Sequence, residues 1–491
     1  MKKIFCIFLI FAMCLTFASC KEDAEKDKVS KANDKNDIMQ TVDINNSTVK
    51  ADSYDMNIKL DDVTKTLSGT ATIKVTNNTS DIIKELHIRN YAASLTSSEV
   101  TDFRINDEIL NYSKAEEDNS IITVTLNTDL SPKETTTINM QFNSTIPKKQ
   151  NRFGYTEFEE YTTYNLSFCF PVLSMYFDGI WYDHPYSDSS SEPNVSAVSN
   201  YTVTVDAPSG YSVIATGNEE TNGNITKING KNCREFAMII SNGLSVSTNT
   251  VCNTKINYYY FDYAGNKNFN NSLCNAAVES FELYNNYFGE YIFNELDVVQ
   301  TFMNSAMEYP GLVMIGLPDL GKDNLKEVDK YREDPKDEKS KVAHEVSHQW
   351  FYSAVGNDPY LEPWLDEGFA EYSEDILYAK SQMNESQIDE LNDFMSDYIT
   401  QIAKDKYIIN KSYPNYKGDS ETYSSYVYEG GKMFLYELCN IMGEEMFQNA
   451  MREYYETYKF KIANTESFIN IIKKYNSSNE INTVINKYIA Y

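Results

Sequence analysis

The sequence predicts an α+β multidomain protein, in which an N-terminal antiparallel β-sandwich or saddle domain is followed by a mainly helical domain. The chain has 491 residues, a length that suggests about two to three domains. Its composition, 42% hydrophobic and 13% aromatic, is that of a globular protein able to bury substantial cores. Short alternating strands between polar turns fill residues 42–264, and helical spacing dominates residues 265–491.

The N-terminus has the pattern of a targeting signal. Lys2 and Lys3 precede a short apolar stretch at residues 4–17. Phe17-Ala18-Ser19-Cys20 then resembles the bacterial lipoprotein signal, although Phe17 stands where Leu is usual. This resemblance implies a signal peptide over residues 1–19 and a lipid anchor at Cys20, on the extracytoplasmic side of the bacterial cell membrane. Ordinary secretion and a retained anchor helix remain the alternatives.

The charge balance limits the classes of partner. Residues 20–41 are charged and nearly free of large apolar groups, which predicts a disordered tether. The net charge of −29 becomes −31 once the lysines of residues 1–19 are removed. Such an acidic chain argues against nucleic acid or anionic lipid as a partner and is compatible with cationic peptides. Five cysteines follow Cys20 without a C-x-x-C pattern, so we expect buried thiols, with a Cys233–Cys252 bridge as the alternative.

The order of elements follows from the periodicity. Alternating stretches predict strands in the first domain at residues 71–75, 121–125 and 201–205. After residue 265 the spacing predicts a helix over 270–288 that ends at Gly289, and then strands at 296–302 and 307–315. A charged run at 319–339 predicts a loop. The helix after this loop is expected to end at Gly356, and the next to begin near Pro363.

The strongest functional pattern is His344-Glu345-Val346-Ser347-His348, followed by Glu367 after eighteen intervening residues. Positions i and i+4 lie on one helix face, so His344 and His348 can present two imidazole nitrogens to a single metal ion. A second helix would bring Glu367 round as the third ligand, which gives the donor set of a catalytic zinc site. We therefore predict one zinc ion per chain, with a solvated helix carrying two unrelated histidines as the alternative.

Further roles follow from the chemistry that such a site requires. Glu345 is placed to take a proton from a water molecule at the metal. Glu371 lies four residues after Glu367 on the same helix face and is predicted to bond the free ring nitrogen of His344, with a solvent-facing acid as the alternative. The remaining histidines, His87 and His184, are predicted to be structural, although the aromatic loop that carries His184 could border the cleft.

Three further motifs accompany this site. Glu367 lies in Trp364-Leu365-Asp366-Glu367-Gly368, and Ser305-Ala306-Met307-Glu308-Tyr309 lies thirty-six residues before His344 at the level of Glu308. Val427-Tyr428-Glu429-Gly430-Gly431 lies eighty residues after His348 at the level of Tyr428. In this order and spacing the chain resembles the aminopeptidase N family of gluzincin zinc metallopeptidases. The resemblance implies that Glu308 binds the α-amine of the substrate, that Ala306 and Met307 belong to the same substrate-binding stretch, and that Tyr428 stabilises the oxyanion.

The resemblance covers roughly residues 50–491. It implies an N-terminal β-domain at 42–264 and a thermolysin-like, mainly helical catalytic domain at 265–491. Ser305 and Tyr309 depart from the family's Gly and Asn, which leaves the preferred substrate side chain open. The chain ends about sixty residues after Tyr428, so the resemblance is to a short, two-domain form without the large C-terminal helical domain of longer relatives. We therefore expect a more open cleft, or one closed by self-association.

Three functions fit these observations. The first is a zinc aminopeptidase that removes N-terminal residues from peptides at the outer cell surface. The second is a zinc endopeptidase with an open cleft, which would also cut acetylated peptides. The third is a catalytically silent, peptide-binding lipoprotein, and the intact set His344, Glu345, His348, Glu367 and Tyr428 argues against it.

Overall fold

The computed structural model describes residues 47–490 apart from residues 159, 187–194, 263–266, 318–334, 403–406 and 417–418. The predicted signal peptide, the tether, the anchor residue Cys20 and most of the predicted loop at 319–339 lie outside the described residues. Among the helices that are described, none is long and apolar enough to span a membrane.

The first half of the chain is mainly β-structure, as its alternating pattern predicts. In β1 (Thr48–Asp61), Met56, Ile58 and Leu60 are buried while the residues between them are exposed, because side chains of a strand alternate between its two faces. The other strands are β2 (Thr66–Asn77), β3 (Ile83–Arg89), β4 (Ser98–Ile105), β5 (Glu108–Ile109), β6 (Tyr112–Lys114), β7 (Ile121–Leu130), β8 (Thr135–Thr145), β9 (Phe153–Phe158), β10 (Tyr161–Leu166), β11 (Val172–Leu173), β12 (Tyr176–Phe177), β13 (Ile180–Trp181), β14 (Ser199–Asp206), β15 (Ser212–Ala215), β16 (Asn218–Asn222), β17 (Ile225–Cys233), β18 (Met238–Ser241), β19 (Leu244–Val251), β20 (Thr254–Phe261), β21 (Glu295–Thr301), β22 (Met307–Tyr309) and β23 (Leu312–Gly316).

The described residues of the N-terminal domain form three sheets. The largest has ten strands along the path β16-β17-β14-β1-β2-β8-β4-β5, with β12 and β13 at its side. Two four-stranded sheets, β15-β18-β10-β9 and β11-β3-β7-β6, pack with it around one core that includes Met56, Ile73 and Val203. This multi-sheet β-domain confirms the predicted fold class. The prediction that its strands are antiparallel is wrong for one pair. β1 and β14 pair in parallel, because a long excursion of the chain returns it to β1 in the same direction.

A five-stranded sheet, β19-β20-β21-β23-β22, joins the two parts of the chain. β19 and β20 precede the predicted domain boundary at 264/265, and the other three strands follow it. β20 and β21 pair in parallel and are connected through α1 (Lys267–Phe288), as a parallel pair requires a crossover. The division into 42–264 and 265–491 stays a prediction, and this sheet takes strands from both sides of it.

The remainder of the described chain is mainly helical, as predicted. α1 ends at Phe288, directly before Gly289, whose φ of +137° is open to glycine and strained for other residues. The later helices are α2 (Lys336–Ser347), α3 (Trp364–Tyr372), α4 (Ala379–Ser381), α5 (Glu385–Ile402), α6 (Ser420–Ser424), α7 (Gly430–Met442), α8 (Glu444–Tyr458), α9 (Thr465–Tyr475) and α10 (Asn479–Tyr488), with π-helical turns at Ser373–Tyr378 and Ser425–Glu429. They share one large core with α1 and the five-stranded sheet.

The helix that carries the two histidines is shorter than predicted. α2 ends at Ser347 with His348 as its C-terminal cap, and it does not reach Gly356. The chain then turns through Tyr352, whose φ of +125° cannot continue a right-handed helix. α3, in contrast, begins directly after Pro363, as predicted.

Gly356 serves a close approach between the two parts of the chain. A β-carbon at Gly356 would lie 2.2 Å from the guanidinium carbon of Arg234, a buried residue that follows β17. Arg234 donates to the carbonyl oxygens of Tyr352 at 3.0 Å and of Lys461 at 3.0 Å. These bonds from the β-domain fix the turn that follows His348, and so position one side of the site described next.

Candidate metal centre and active site

α2 and α3 bring the three predicted metal ligands together. His344 and His348 lie one turn apart at the end of α2, and Glu367 lies in the first turn of α3. Glu367 Oε2 is 3.3 Å from His344 Nε2 and 3.6 Å from His348 Nε2. All three donor atoms therefore surround one point, although the two helices are separated by a long turn in the sequence.

The other ring nitrogen of each histidine faces a carboxylate. His344 Nδ1 is 3.1 Å from Glu374 Oε2, and His348 Nδ1 is 2.7 Å from Asp366 Oδ1 and 3.2 Å from the Phe351 carbonyl oxygen. The Glu374 carboxylate and the Phe351 carbonyl oxygen are the hydrogen-bond partners that fix the two rings with Nε2 towards Glu367, and the Asp366 carboxylate lies beside the His348 ring. Neither Glu374 nor Asp366 was predicted for this role, although Glu374 shares a helix face with Glu367 at the i+7 position and was within reach of the same reasoning.

The role predicted for Glu371 requires correction. Glu371 Oε1 is 3.8 Å from His344 Nδ1, which is too long for a hydrogen bond. Its other oxygen is 3.5 Å from the ammonium of Lys432, a buried residue of α7 that also contacts Asp375 and, at 2.9 Å, Glu429. Since this buried cation lies on one side of Glu371 and His344 on the other, Glu371 is shared between them and Glu374 makes the bond to the ring.

Glu345 lies beside the metal ligands, as predicted. Its side chain is buried, and Oε2 has no hydrogen-bond partner among the described residues. Burial raises the pKa of Glu345 to about 7 in the absence of a metal ion, although the neighbouring imidazoles His344 and His348 act in the opposite direction. A carboxylate of this kind exchanges a proton near neutral pH.

The β22–β23 hairpin presents Glu308 to the site. Glu308 is 6% exposed, and its carboxylate comes within 4.8 Å of the donor atoms of His348 and Asp366. A buried amide holds the hairpin in place: Gln349 Nε2 donates to the Tyr309 carbonyl at 3.1 Å, and Gln349 Oε1 accepts from the Gly311 N–H at 2.9 Å. Gln349 follows His348 directly, so one residue couples the amine-binding candidate to the metal helix. Sequence reasoning did not identify Gln349.

Ala306 and Met307 occupy different surroundings. Ala306 is partly buried and packs against the core of the helical domain. The Met307 side chain is 5% exposed and packs with Ile214 and Ile239 between the five-stranded sheet and the β-domain. The Met307 side chain is therefore part of this packed core and does not reach a substrate in this conformation.

Tyr428 lies in the second π-helical turn and faces the same centre. Its ring is stacked against that of His344 at a centroid distance of 6.2 Å. Burial and the nearby charge and hydrogen bond of Glu367 raise the pKa of Tyr428 well above its usual value. The hydroxyl is therefore protonated at neutral pH and is a hydrogen-bond donor.

Two glycines set the distance between Glu367 and Tyr428. Gly368 and Gly431 meet where α3 packs against α7, and a β-carbon at Gly431 would lie 2.6 Å from the α-carbon of Gly368. No larger residue fits at this contact. The glycines of both motifs therefore let the two helices approach closely enough for their functional neighbours to share one site.

The remaining histidines and the thiols lie elsewhere. His87 contacts Asp183 and stacks on Trp181, and His184 Nε2 is 2.9 Å from Asp358 Oδ2, so both are structural as predicted. The contact with Asp358 places the aromatic loop against the helical domain. The five cysteines of the described chain are free thiols, which excludes the Cys233–Cys252 alternative; Cys252 is exposed rather than buried.

The residues present fit a zinc ion. Two imidazoles and one carboxylate are the donor set of catalytic zinc sites. The donor separations of 3.3 and 3.6 Å match the edge of about 3.3–3.6 Å of a tetrahedron with metal–ligand bonds of about 2.0–2.2 Å. Both Nδ1 atoms face acceptors, and the orphaned Oε2 of Glu345 is the group expected to act on a molecule bound at the centre.

Comparisons of the sequence agree with this assignment. Residues 273–488 match the Peptidase family M1 domain. Aminopeptidase M1-B of Oryza sativa subsp. japonica is 26% identical over 238 residues, which cover 47% of this chain and 26% of that protein. Endoplasmic reticulum aminopeptidase 2 of Homo sapiens is 27% identical over 213 residues, which cover 39% of this chain and 20% of that protein. The chain spans about a quarter or less of the length of these relatives.

Solved structures share the fold over nearly the whole described chain. The M1 zinc metallopeptidase from Deinococcus radiodurans superposes with a TM-score of 0.64 at 17% identity, covering 90% of this chain and 94% of that one. A mutant of that protein bound to a Tyr-Ser-Ala substrate gives a TM-score of 0.62 at 16% identity over the same shares of the two chains. The likeness extends through both the β-domain and the helical domain, and at these identities it shows the fold.

Proposed function

We propose that this chain, whose residues 273–488 match the Peptidase family M1 domain, is a zinc-dependent aminopeptidase that removes N-terminal residues from peptides. The observation that carries this proposal is the position of Glu308. A buried carboxylate contributed by a sheet edge beside the metal ligands can accept the charged amine of a peptide, and a free amine is what distinguishes an N-terminus.

The described residues divide the work of hydrolysis. His344, His348 and Glu367 would hold zinc, which when bound supplies a Lewis acid and lowers the pKa of a water molecule. Glu345 takes the proton of the attacking water at a carboxylate oxygen and delivers it to the departing amine. Tyr428 donates its hydroxyl hydrogen to the oxygen on which negative charge develops.

Glu308 fixes which peptide bond is cut. Its carboxylate binds the substrate ammonium close to His348, so the first peptide bond lies at the metal centre and later bonds do not. Gln349 supports this by holding the backbone of the β22–β23 hairpin at Tyr309 and Gly311. Orientation of this kind contributes to rate as well as to specificity.

The place of action belongs to the same proposal and has separate support. The lipoprotein-like sequence that ends at Cys20, followed by the charged stretch at residues 21–41, supports a lipid-anchored enzyme at the outer cell surface with peptides as substrates. Radiolabelled fatty acid fed to cells that express the full chain should be incorporated into it and lost in the Cys20→Ala variant. Absence of label from the full chain would contradict the proposed lipid anchor at Cys20.

The activity is tested with one peptide in two forms, with a free and with an acetylated N-terminus. The zinc-loaded protein is expected to release the first residue of the free peptide only, and a zinc chelator should abolish the release. Internal cleavage of both forms would replace this proposal with an endopeptidase. Cleavage of neither form by zinc-loaded protein would favour a peptide-binding protein without catalysis.

Two variants assign the roles. Glu345→Gln should retain zinc and lower kcat by about a hundredfold to ten-thousandfold, the usual contribution of a general base. Glu308→Gln should raise KM for the free peptide and leave the zinc content close to that of the wild type. Glu466→Gln on the exposed face of α9 is the control for a neutralised glutamate and should match the wild type. Equal KM values for Glu308→Gln and this control would remove Glu308 from amine binding.

A further inference from the structure

A second group of acids lies between the β-domain and the five-stranded sheet, away from the site above. Glu219 belongs to β16 of the ten-stranded sheet, and Glu295 and Asp297 belong to β21. One carboxylate oxygen of each comes within 4.8 Å of the others. Both domains therefore contribute to one cluster of three carboxylates.

The burial of Asp297 distinguishes this cluster from an ordinary group of surface acids. It is 1% exposed, and its Oδ1 accepts from Asn257 Nδ2 at 2.7 Å. Its Oδ2 is buried and has no hydrogen-bond partner among the described residues. A buried carboxylate oxygen without a donor is unfavourable, so this oxygen requires either a proton or a cation.

Another trio of acids in the same molecule shows what a satisfied cluster looks like. Glu371, Asp375 and Glu429 also approach within 4.8 Å of one another, and the Lys432 ammonium contacts all three. The Lys432 side chain is 6% exposed. That trio already holds a cation that the protein supplies.

Lys255 is not a buried counter-cation of this kind for Glu219, Glu295 and Asp297. Its ammonium is 2.9 Å from Glu295 Oε2, but its side chain is 50% exposed and extends to solvent. Among the described residues, Tyr259 and Tyr291 also face the trio, and burial raises the pKa of each, so both phenols are neutral. Three carboxylates opposite one exposed ammonium leave an excess of negative charge at a buried position.

We propose that Glu219, Glu295 and Asp297 bind one calcium ion that ties the β-domain to the catalytic sheet. The donors are all carboxylate oxygens, which suit a hard divalent cation. The three oxygens lie within 4.8 Å of one another, so one ion with Ca–O bonds of about 2.3–2.6 Å can reach all three. Mg²⁺ gives up its water ligands reluctantly and is seldom bound by a cage of protein carboxylates alone, so calcium is the better match.

Protonation supports the same reading of the site. Burial raises the pKa of Glu219 to about 7, and burial together with Glu219 raises that of Asp297. Without a cation, these acids hold protons at pH values where acids are normally ionised. Calcium binding therefore releases protons and becomes tighter as the pH rises from about 6 to 8.

The experiment is calorimetric titration of the zinc-loaded protein with calcium chloride at pH 7.5, together with thermal unfolding in the presence and absence of calcium. Zinc loading keeps the first site filled. The wild type should bind one calcium ion per chain and gain on the order of a few degrees in Tm at saturation. Magnesium should bind at least about tenfold more weakly, because it would have to exchange its tightly held water ligands for protein carboxylates.

Two variants and one control locate the ion. Asp297→Asn should abolish calcium binding, and Glu219→Gln, which keeps an acceptor for the Ala215 N–H, should weaken it by at least about tenfold. Asp206→Asn, at a half-exposed aspartate of β14, should bind calcium like the wild type. If Asp297→Asn does not fold, Glu219→Gln alone decides the question.

Two results overturn the proposal. Equal calcium affinity in the wild type and in Glu219→Gln would place the ion elsewhere. No calcium binding by the folded wild type at millimolar concentration, combined with a Tm that falls as the pH rises from 5 to 8 and does so less in Glu219→Gln, would show that the cluster is held by shared protons.

Discussion

Replacing Glu374 by Gln is expected to weaken zinc binding by about tenfold to a hundredfold, which is about 1.4–2.7 kcal/mol. The carboxylate of Glu374 lies 3.1 Å from His344 Nδ1, within hydrogen-bonding distance, whereas Glu371 lies 3.8 Å away. A carboxylate that accepts the Nδ1–H fixes the tautomer with Nε2 free and makes that nitrogen a better donor to metal. An amide oxygen accepts the same bond with less charge, so the loss is partial.

Glu371→Gln is the matched control, because it neutralises the same residue type on the same helix face. Its oxygen is engaged by Lys432, which retains Asp375 and Glu429 as partners in the variant. We expect its zinc affinity to stay within about threefold of the wild type, below the range for a lost ligand-supporting bond. Zinc affinity is measured by competition with a chromophoric chelator, independently of turnover. If Glu371→Gln weakens zinc more than Glu374→Gln does, the assignment of the two acids is wrong.

The remaining predictions concern the oxyanion, the pH dependence of stability and a buried cation. Tyr428→Phe should lower kcat by an amount that corresponds to about 3 kcal/mol of activation free energy, with zinc content unchanged. Steady-state kinetics that show an unchanged kcat would exclude Tyr428 from the reaction. Burial raises the pKa of Glu362 to about 7, and its carboxyl group accepts the Thr465 N–H at 3.1 Å. The folded protein thus holds the proton of Glu362 more tightly than the unfolded chain does. Up to about 3 kcal/mol of folding stability is therefore lost as the pH rises from about 4.5 to 7. Glu362→Gln should therefore gain Tm over the wild type at pH 8 and not at pH 5, and a constant difference in Tm would contradict this. Lys432→Met should lower the free energy of unfolding by about 3–5 kcal/mol, since it leaves three acids without their cation, whereas exposed Lys59→Met should cost less than about 1 kcal/mol in the same urea titration.

The ligand set was accessible from the sequence because its geometry is local. His344 and His348 share a helix face by spacing alone, and the Trp364 to Gly368 motif marks the helix that carries Glu367. The structure places both imidazole donors within 3.6 Å of the Glu367 carboxylate. Glu308 and Tyr428 were placed only through a family resemblance, since no periodicity connects positions so far apart in the chain.

The choice between Glu371 and Glu374 could not be made in the same way. Both acids lie on the face of Glu367, and only the arrival of Lys432 from α7 separates their roles. Gln349 is a comparable case, because its amide becomes important only when the β22–β23 hairpin packs on α2. The end of α2 was mistaken because Gly356 has the appearance of a helix cap, and Arg234 from another domain is what requires it.

Neighbours along the chain were enough to predict the two halves of the fold, the ligand triad and Glu345, because alternating and helical periodicities and the spacing of a ligand pair are local properties. Three further features depend on packing: the carboxylate that lies beside each histidine, the approach of Glu367 to Tyr428 through Gly368 and Gly431, and the meeting of Glu219 with Asp297 across two sheets. These contacts join residues whose separation in sequence carries no information about distance in space. They are fixed only when burial of the apolar faces packs helices and sheets against one another.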